Sequence, residues 1–259
     1  MRAPHRLWER LAGDLSRDEA HHILGFLGYG RLSAPFWFIG LEEGLSSLDP
    51  SDLAQNLKAR GSWDEVMDLE RALLSLRHEG RPIRITVKPP RTPTWRWMCR
   101  IVVEIAQKLG LGDRPAAREY LRHRLGRSDP QLGETFLTEL SPIPSKNTAQ
   151  NQTWLRAFRG VATDCDQLIR ARRERLRTLL QQHRPKFVFC YGAETERAES
   201  TFRSVFSVQK WRSVGNKCKI SQSGGQWIAL MPFFGLGRLT NLEFEAVIDG
   251  MFEGAPDGA

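Results

Sequence analysis

The chain has 259 residues, of which 41% are hydrophobic, and it carries a formal net charge of +8. This length and apolar content are enough for a sizeable core that needs no disulfide or metal. The positive charge favours a polyanionic partner, although many basic proteins bind none. No apolar run approaches the roughly 20 residues of a transmembrane helix, and the first 15 residues are too polar for a signal peptide. We therefore expect a cytoplasmic protein with no membrane partner.

The four cysteines stand at positions 99, 165, 190 and 218 and form no C-x-x-C pair. Zinc sites and iron–sulfur clusters usually require closely spaced ligands of that kind. The sequence therefore predicts reduced thiols, no metal and no iron–sulfur cluster. The glycine pairs in "SGGQW" and "GLG" lack the strand and helix context of a dinucleotide fingerprint, so no organic cofactor is implied either.

The secondary-structure pattern is that of an α/β protein, in which apolar strands alternate with helices. Runs of β-branched and aromatic residues predict strands at 36–40, 135–140, 186–192 and 227–233. Helical patterns lie at 63–80, 94–110, 163–183 and 193–206. We expect a single domain built on a central four-stranded parallel sheet flanked by helices. Its predicted divisions are a helical N-terminal segment at 1–30, the α/β domain at 31–250 and a flexible tail at 251–259.

Polar or glycine-containing residues follow each predicted strand. The stretch "GLEEG" at 40–44 places Glu42 and Glu43 directly after the first strand, and Glu139 lies near the end of the second. Open α/β sheets bind their ligands at the carboxyl ends of their strands. These three carboxylates are therefore candidates for a common site.

Three stretches resemble the uracil-DNA glycosylase superfamily: "GLEEG", "FLTELSPIPSKN" at 136–147, and the helix and strand of "RRERLRTLLQQHRPKFVFCYGAETERA" at 172–198. In that superfamily the first strand ends in a motif such as GQDPY, GINPG or GEAPG. The second strand commonly ends in Thr-Asn followed by a proline-bearing loop. The similarity covers about residues 35–245. It implies a uracil-DNA glycosylase-like fold and hydrolysis of the N-glycosidic bond of a base in DNA.

The sequence departs from the superfamily at two places that matter for base choice. The second active-site motif, typically His-Pro-Ser, would fall on "LMPFFGLGR", which keeps Pro232 but has Met231 for the histidine and Phe233 for the serine. Glu139 stands where many members have the asparagine that reads uracil. The resemblance thus implies a pocket for a base other than uracil. The residues that it assigns to this pocket are Gly40, Leu41, Glu139, Asn147, Met231 and Phe233.

Glu42 is the predicted catalytic carboxylate, with Glu43 as the alternative. Cleavage of an N-glycosidic bond builds positive charge on the sugar, which a carboxylate can stabilise while it positions water and accepts a proton. A structural explanation is also open, because glutamates after a strand can cap the first turn of the next helix.

Glu139 is open to the same two kinds of explanation. It could accept a hydrogen bond from a backbone amide, or it could accept one from the exocyclic amine of a base. The second alternative favours a cytosine-type base. A modified cytosine is the better candidate, because excision of ordinary cytosine would destroy the host genome. One branch of the superfamily removes glucosylated hydroxymethylcytosine from viral DNA.

The stretch "RITVKPPRTPTWRWMCR" at 84–100 interleaves cations with tryptophans, a composition suited to phosphate contact and base stacking. The tryptophans could equally belong to the core. In "FFGLGR" an apolar wedge and an arginine could enter the duplex as the base flips. The basic helix "RARRERLRTLL" is better explained as a solvated face. The predicted DNA-binding residues are Lys88, Arg91, Trp95, Trp97, Lys146, Phe234 and Arg238.

The sequence as a whole predicts a monofunctional DNA glycosylase that acts on a modified, cytosine-type base in duplex or single-stranded DNA and leaves an abasic site. Defence against phage with modified DNA is one possible role. Two alternatives stay open: a catalytically silent module that recognises modified bases, and a small-molecule N-ribosyl hydrolase.

Overall fold

A computed structural model of the chain describes residues 10–44, 49–89, 92–112, 114–145, 148–206, 208, 210–235 and 237–253, and within them it leaves out the side chains of residues 43, 44, 50, 144, 145 and 148–154. Its centre is a mixed sheet of eight strands in the order β3-β1-β6-β2-β7-β10-β9-β8, and β4 pairs separately with β5. The strands are β1 Gly28–Gly30, β2 Phe36–Gly44, β3 Val66–Met67, β4 Arg77–His78, β5 Arg81–Pro82, β6 Thr135–Ser145, β7 Phe187–Tyr191, β8 Arg212–Val214, β9 Cys218–Ser223 and β10 Gln226–Met231.

The four predicted strands are β2, β6, β7 and β10, and they lie side by side in the order β6-β2-β7-β10 with every pair parallel. The expected α/β class is therefore confirmed, whereas the expected sheet of four strands is too small. Antiparallel β1 extends the sheet beyond β6, and antiparallel β9 extends it beyond β10. A two-residue turn joins β9 to β10 through Gly224 and Gly225, both at positive φ (58° and 82°), so the glycine pair of "SGGQW" is a hairpin turn.

The helices confirm three of the four helical predictions. They are α1 Arg17–Gly25, α2 Pro50–Arg60, α3 Leu69–Ser75, α4 Pro93–Lys108, α5 Ala117–His123, α6 Thr148–Val161, α7 Cys165–His183, α8 Glu196–Arg203 and α9 Asn241–Phe252. The continuous helix predicted at 63–80 is wrong. That stretch contains β3, the short helix α3 and β4, because Asp68 caps α3 by accepting hydrogen bonds from the Glu70 and Arg71 N–H groups, and the chain then turns back at Glu79 and Gly80, both at positive φ.

Both ends of the described chain are more regular than the predicted divisions suggested. In the predicted N-terminal helical segment, α1 begins with a capping box between Ser16 and Glu19, and β1 then joins the sheet. At the other end α9 continues to Phe252, so residues 251 and 252 are helical. Residues 1–9 and 254–259 of these segments lie outside the described residues.

The central strands bury both faces of the sheet, as expected for parallel strands covered by helices. On one face, rings stack across neighbouring strands, Phe36 on Phe187 at 5.2 Å and Phe38 on Phe189 at 5.4 Å between centroids. Helices α4 and α9 cover this side, which we call the α4/α9 face. The opposite face contains Trp37 and is covered by α7 and α8, and we call it the α7 face.

Helices α4 and α9 run in the same direction. The Arg100 guanidinium, midway along α4, donates to Asn241 at the start of α9 at 2.6 Å, and the Lys108 ammonium at the end of α4 donates to Asp249, further along α9, at 2.9 Å. Because α9 follows β10, its N-terminus lies towards the carboxyl ends of the parallel strands, a side that we call the carboxyl edge. The N-terminus of α4 therefore points to the same edge.

The four thiols lie in the interior, and burial makes them poor acids. Burial raises the pKa of Cys165 to about 11 and that of Cys218 to about 12, and it raises the pKa of Cys99 and of Cys190 as well. Since only the thiolate is nucleophilic, we expect all four to resist alkylation.

We predict that iodoacetamide at pH 8 leaves the native protein unmodified, because a pKa near 11 leaves roughly one thiol in a thousand ionised. In guanidinium chloride all four thiols should react, since their pKa values return to about 8.5. Mass spectrometry counts the adducts. Rapid labelling of any thiol in the native protein would contradict its burial.

Candidate active site

Three residues form a row across the carboxyl edge. Gly40 of β2 pairs in register with Glu139 of β6 on one side and with Tyr191 of β7 on the other. The Tyr191 hydroxyl donates a hydrogen bond of 2.5 Å to Glu139 Oε1, so the Glu139 side chain reaches across β2. A Cβ atom at Gly40 would lie 1.8 Å from Glu139 Oε2 and 2.6 Å from Tyr191 Cζ. The missing side chain at residue 40 is therefore what allows the Glu139–Tyr191 pair to form.

Tyr191 is fixed by its surroundings as well as by this hydrogen bond. It is only 5% exposed, and its ring stacks on Phe234 with 4.9 Å between centroids and 23° between planes. Phe234 is 1% exposed. Its predicted role as a wedge that enters DNA does not fit this position, because the ring would have to leave the core. Its observed role is to support Tyr191.

Arg172 holds the backbone of Glu139 from the opposite side of the sheet. Its Nε and Nη2 atoms donate to the Glu139 carbonyl oxygen at 2.9 and 2.7 Å, and Nη2 also donates to the Leu27 carbonyl oxygen at 3.0 Å. A further hydrogen bond runs from Nη1 to the Phe26 carbonyl oxygen. The side chain is 5% exposed. The interpretation of the α7 arginines as a solvated face is therefore wrong for Arg172, which links α7 to the site.

A signal for Arg172 was present in the sequence. It lies four residues after Leu168 and four before Leu176, which places it on the buried stripe of α7. An arginine on such a stripe needs acceptors within the fold, since burial of an unsatisfied charge is costly. The periodicity thus marks the residue, but it does not reveal that β6 supplies an acceptor.

Glu42 lies two residues beyond Gly40 in β2 and pairs in register with Ser141 of β6. Alternation along the strand places Glu42 on the face of Gly40, and its side chain is half-buried. The register shifts between Glu42 and Gly44, an irregularity of the kind that redirects side chains near active sites. Glu43 follows in β2, and its side chain is outside the described part of the structure.

The helix-capping explanation for Glu42 is overturned. β2 continues through Gly44, and the next helix begins after Asp49, whose carboxylate accepts from the Ser51 and Asp52 N–H groups. The strand thus extends beyond its predicted end at residue 40 and carries Glu42 along the carboxyl edge. Glu42 and Glu139 therefore occupy neighbouring strands on one face of the sheet.

The remaining predicted pocket residues divide between the two faces. Met231 is fully buried in the α4/α9 core, whereas Phe233 is half-buried. Leu41 packs against the core of the α7 face, on the side opposite Glu139. Asn147 lies outside the described residues. Met231 lies on the side of the site, but its predicted place in the base pocket does not fit its complete burial, because a base could reach it only if the core opened. Phe233 remains a candidate on that side.

Glu194 connects the loop after β7 to the loop after β10. Its carboxylate accepts a 2.8 Å hydrogen bond from the Phe233 N–H and forms a 3.2 Å ion pair with Arg238. The N–H groups of Gly192 and Ala193 both donate to the Met231 carbonyl oxygen, at 3.1 and 3.0 Å. Arg238, whose side chain is 53% exposed, is thereby held close to the end of β10.

The cation–aromatic stretch at 84–100 continues from Pro93 into α4, and it is the N-terminus of this helix that points to the carboxyl edge. Arg84, Lys88 and Arg96 are exposed, and none has an ion pair within the described part of the chain. Trp95 and Trp97 are half-buried and pack on the core. The three cations are thus accessible to solvent, whereas much of the surface of the two indole rings is used in packing against the core. Arg91 and Lys146, which the sequence also marked for DNA contact, are outside the described residues.

A separate cleft of about 360 Å³ lies at the opposite edge of the sheet. Its lining includes Lys210, Trp211 and Trp227, the last of which pairs with the first residue of β7. It contains none of the residues described above. Of the four cations in the neighbouring hairpin segment, Lys217 pairs with Glu243 and Lys219 with Glu199.

Comparison with known proteins yields no match to any family model, curated protein or solved structure. Within the described residues, no group of three or more His, Cys, Asp or Glu side chains is placed to hold a metal ion. No described helix is both long and apolar enough to cross a membrane. The geometry of the carboxyl edge and the short motifs that form it are therefore the features that bear on function.

We predict that Gly40→Ala separates the Glu139–Tyr191 pair and lowers the free energy of unfolding by about 1–3 kcal/mol, the usual cost of overpacking. Gly160→Ala is the control, because a Cβ there meets nothing within 4 Å and alanine suits a helix better by about 0.5–1 kcal/mol. Urea denaturation measures both. Equal stability of the two variants would show that the row tolerates a side chain at residue 40.

Proposed function

We propose that this protein is a monofunctional DNA glycosylase of the uracil-DNA glycosylase-like type that removes a modified, cytosine-type base. The observation that carries the proposal is the placement of Glu42 and Glu139 on one face of neighbouring parallel strands at the carboxyl edge. This is where α/β sheets bind ligands. The order β6-β2-β7-β10 of the parallel strands, each of which carries one of the stretches compared with the superfamily, is consistent with it.

Glu42 supplies the chemistry in this proposal. As the bond from C1′ to the base nitrogen breaks, the base takes the bonding electrons and the sugar becomes an oxocarbenium ion. The Glu42 carboxylate stabilises that charge and accepts a proton from the water whose oxygen bonds to C1′. Its half-buried position at the edge leaves it accessible to a flipped nucleotide while partial exclusion of water strengthens its charge interactions.

Glu139 supplies base selectivity. An ionised carboxylate only accepts hydrogen bonds, so it suits the exocyclic amine of cytosine and opposes the O4 carbonyl of uracil. A polar group left buried without a partner costs about 1–3 kcal/mol. Met231, where the resembled superfamily has histidine, is fully buried in the α4/α9 core and does not contact the base, whereas the half-buried Phe233 stands at the serine position. Phe233 suits a substituent on the base better than it suits a uracil-reading site.

The DNA backbone is bound, in this proposal, by exposed cations of the 84–100 stretch. Arg84, Lys88 and Arg96 are exposed, and no ion pair of theirs is found among the described residues. Arg96 lies in the first turn of α4, whose N-terminus points to the carboxyl edge. Arg238 adds a fourth cation that already has a carboxylate partner. Phosphate contacts of this kind position DNA without reading its sequence.

A modified base is the more reasonable substrate because excision of ordinary cytosine would damage the genome of the host. The resembled superfamily has a branch that removes glucosylated hydroxymethylcytosine from viral DNA, and on this ground phage defence is the proposed role. The buried Met231 also favours a second candidate, a silent module that binds modified bases, since no imidazole stands at that position to assist the departing base.

The proposal predicts release of a base from DNA, and Glu42→Gln should reduce the rate by roughly 10²- to 10⁴-fold, the usual contribution of a positioned proton acceptor. The substrates are duplex and single-stranded oligonucleotides with one cytosine, 5-hydroxymethylcytosine, glucosylated 5-hydroxymethylcytosine or uracil. Mass spectrometry identifies the released base. Glu174→Gln, at an exposed position on α7, is the matched control.

Each outcome of that experiment separates the candidates. If the wild type releases no base but binds modified DNA, the silent module replaces the enzyme. If Glu42→Gln keeps the full rate, another acid performs the step, and Glu43 is the first to test. Efficient release of uracil would contradict the role given to Glu139.

DNA affinity should fall steeply with salt, because each phosphate that the protein neutralises releases counterions. Replacing Arg84, Lys88 and Arg96 by glutamine should flatten the plot of log Kd against log salt by about 0.9 for each duplex phosphate that is no longer neutralised. Arg159→Gln is the control, since Arg159 already pairs with Asp166 at 2.9 Å. DNA binding that does not depend on salt concentration, or no binding at low salt, would refute both the glycosylase and the silent DNA-binding module and favour an N-ribosyl hydrolase.

A further inference from the structure

We propose that Tyr191 determines base selectivity by holding Glu139 in one orientation as a hydrogen-bond acceptor. This inference rests on the proposed function, in which Glu139 faces the base, and it names a residue that the motifs do not mark. Tyr191 acts through Glu139 and is therefore a positioning residue.

Glu139 is held at both ends. Arg172 donates two hydrogen bonds to its carbonyl oxygen, at 2.9 and 2.7 Å, which fixes the backbone of β6. Tyr191 donates one hydrogen bond of 2.5 Å to its carboxylate, which fixes the far end of the side chain. Gly40, between them, provides the space for this crossing. The carboxylate is thus oriented before any ligand arrives.

Tyr191 is suited to this task because its own ring has little freedom. It ends a strand whose five residues are all buried, and it stacks on the buried ring of Phe234. A tyrosine hydroxyl has one proton, and in this pair the hydroxyl uses it to donate a hydrogen bond to Glu139. The carboxylate is therefore maintained as an acceptor, which favours a base that presents an amine.

Loss of the hydroxyl should weaken selectivity rather than abolish the fold. In Tyr191→Phe the ring and its stack on Phe234 remain, but the carboxylate loses the hydrogen bond from the Tyr191 hydroxyl. It can then rotate, or take up a proton and donate to a carbonyl oxygen such as O4 of uracil. Binding of a base with an amine at that position should weaken, and binding of a base with a carbonyl there should strengthen, so the preference between the two should become smaller.

The test compares two duplex probes that differ at one base, 5-hydroxymethylcytosine or uracil. Binding is measured by competition in the Glu42→Gln background, and base release is measured with Glu42 intact. We expect Tyr191→Phe to reduce the preference for the cytosine-type probe by roughly 10- to 100-fold, the range for a hydrogen bond to a charged group. The control is Tyr120→Phe, because Tyr120 is fully buried and its hydroxyl has no hydrogen-bond partner in the described part of the chain.

A double variant establishes whether Tyr191 acts through Glu139. If it does, Tyr191→Phe should alter the preference in the wild-type background and have no further effect when added to Glu139→Gln. An unchanged preference in Tyr191→Phe, or an equal change in both backgrounds, would overturn the proposal. The comparison of Glu139→Gln with and without Tyr191→Phe also means that the conclusion does not depend on the folding of one variant alone.

The failure of this inference is distinguishable from failure of the proposed function. If the wild type releases no base but Tyr191→Phe still removes a binding preference, the positioning role of Tyr191 is supported and the proposed glycosylase activity is refuted. If base is released while neither probe is preferred, the activity stands and the role of Tyr191 is overturned.

Discussion

The absence of a side chain at Gly40 is the constraint on which the site depends. Parallel pairing brings Glu139 and Tyr191 to either side of this residue, and any Cβ atom there would occupy the position of the Glu139 carboxylate. Arg172 then fixes the Glu139 carbonyl group from the other side of the sheet. The acidic side chain is thereby oriented by the core itself, so its geometry is as stable as the packing of the central strands.

The features that could be predicted from the sequence are those that depend on a local pattern of residues. The four central strands were found because each is a run of aromatic and β-branched residues between polar stretches, and Glu42 and Glu139 were both placed near strand ends on that basis. The glycine of "GLEEG" was marked through a motif. Its physical reason, the space needed by Glu139, became clear only from the pairing of β2 with β6 and β7.

What the sequence did not reveal depends on interactions between distant segments. The strands β1, β3 and β8 have two or three residues each and gain their structure from neighbours in the sheet, so no periodicity marks them. Phe234 stands in a glycine-rich stretch that suggested an exposed loop, yet it packs on Tyr191, 43 positions earlier in the chain. Arg172 and Tyr191 likewise owe their importance to partners that lie 33 and 52 positions away.

The two edges of the main sheet are formed by its shortest strands. β3 has two residues and β8 has three, and β8 begins with the exposed Arg212. A long, flat edge offers unpaired backbone groups to strands of other chains and invites aggregation. The apolar central strands are the segments most prone to such association. On each side, however, the sheet ends in a strand, β3 or β8, that is too short to act as a template. The short outer strands therefore protect solubility at high protein concentration while leaving the carboxyl edge open.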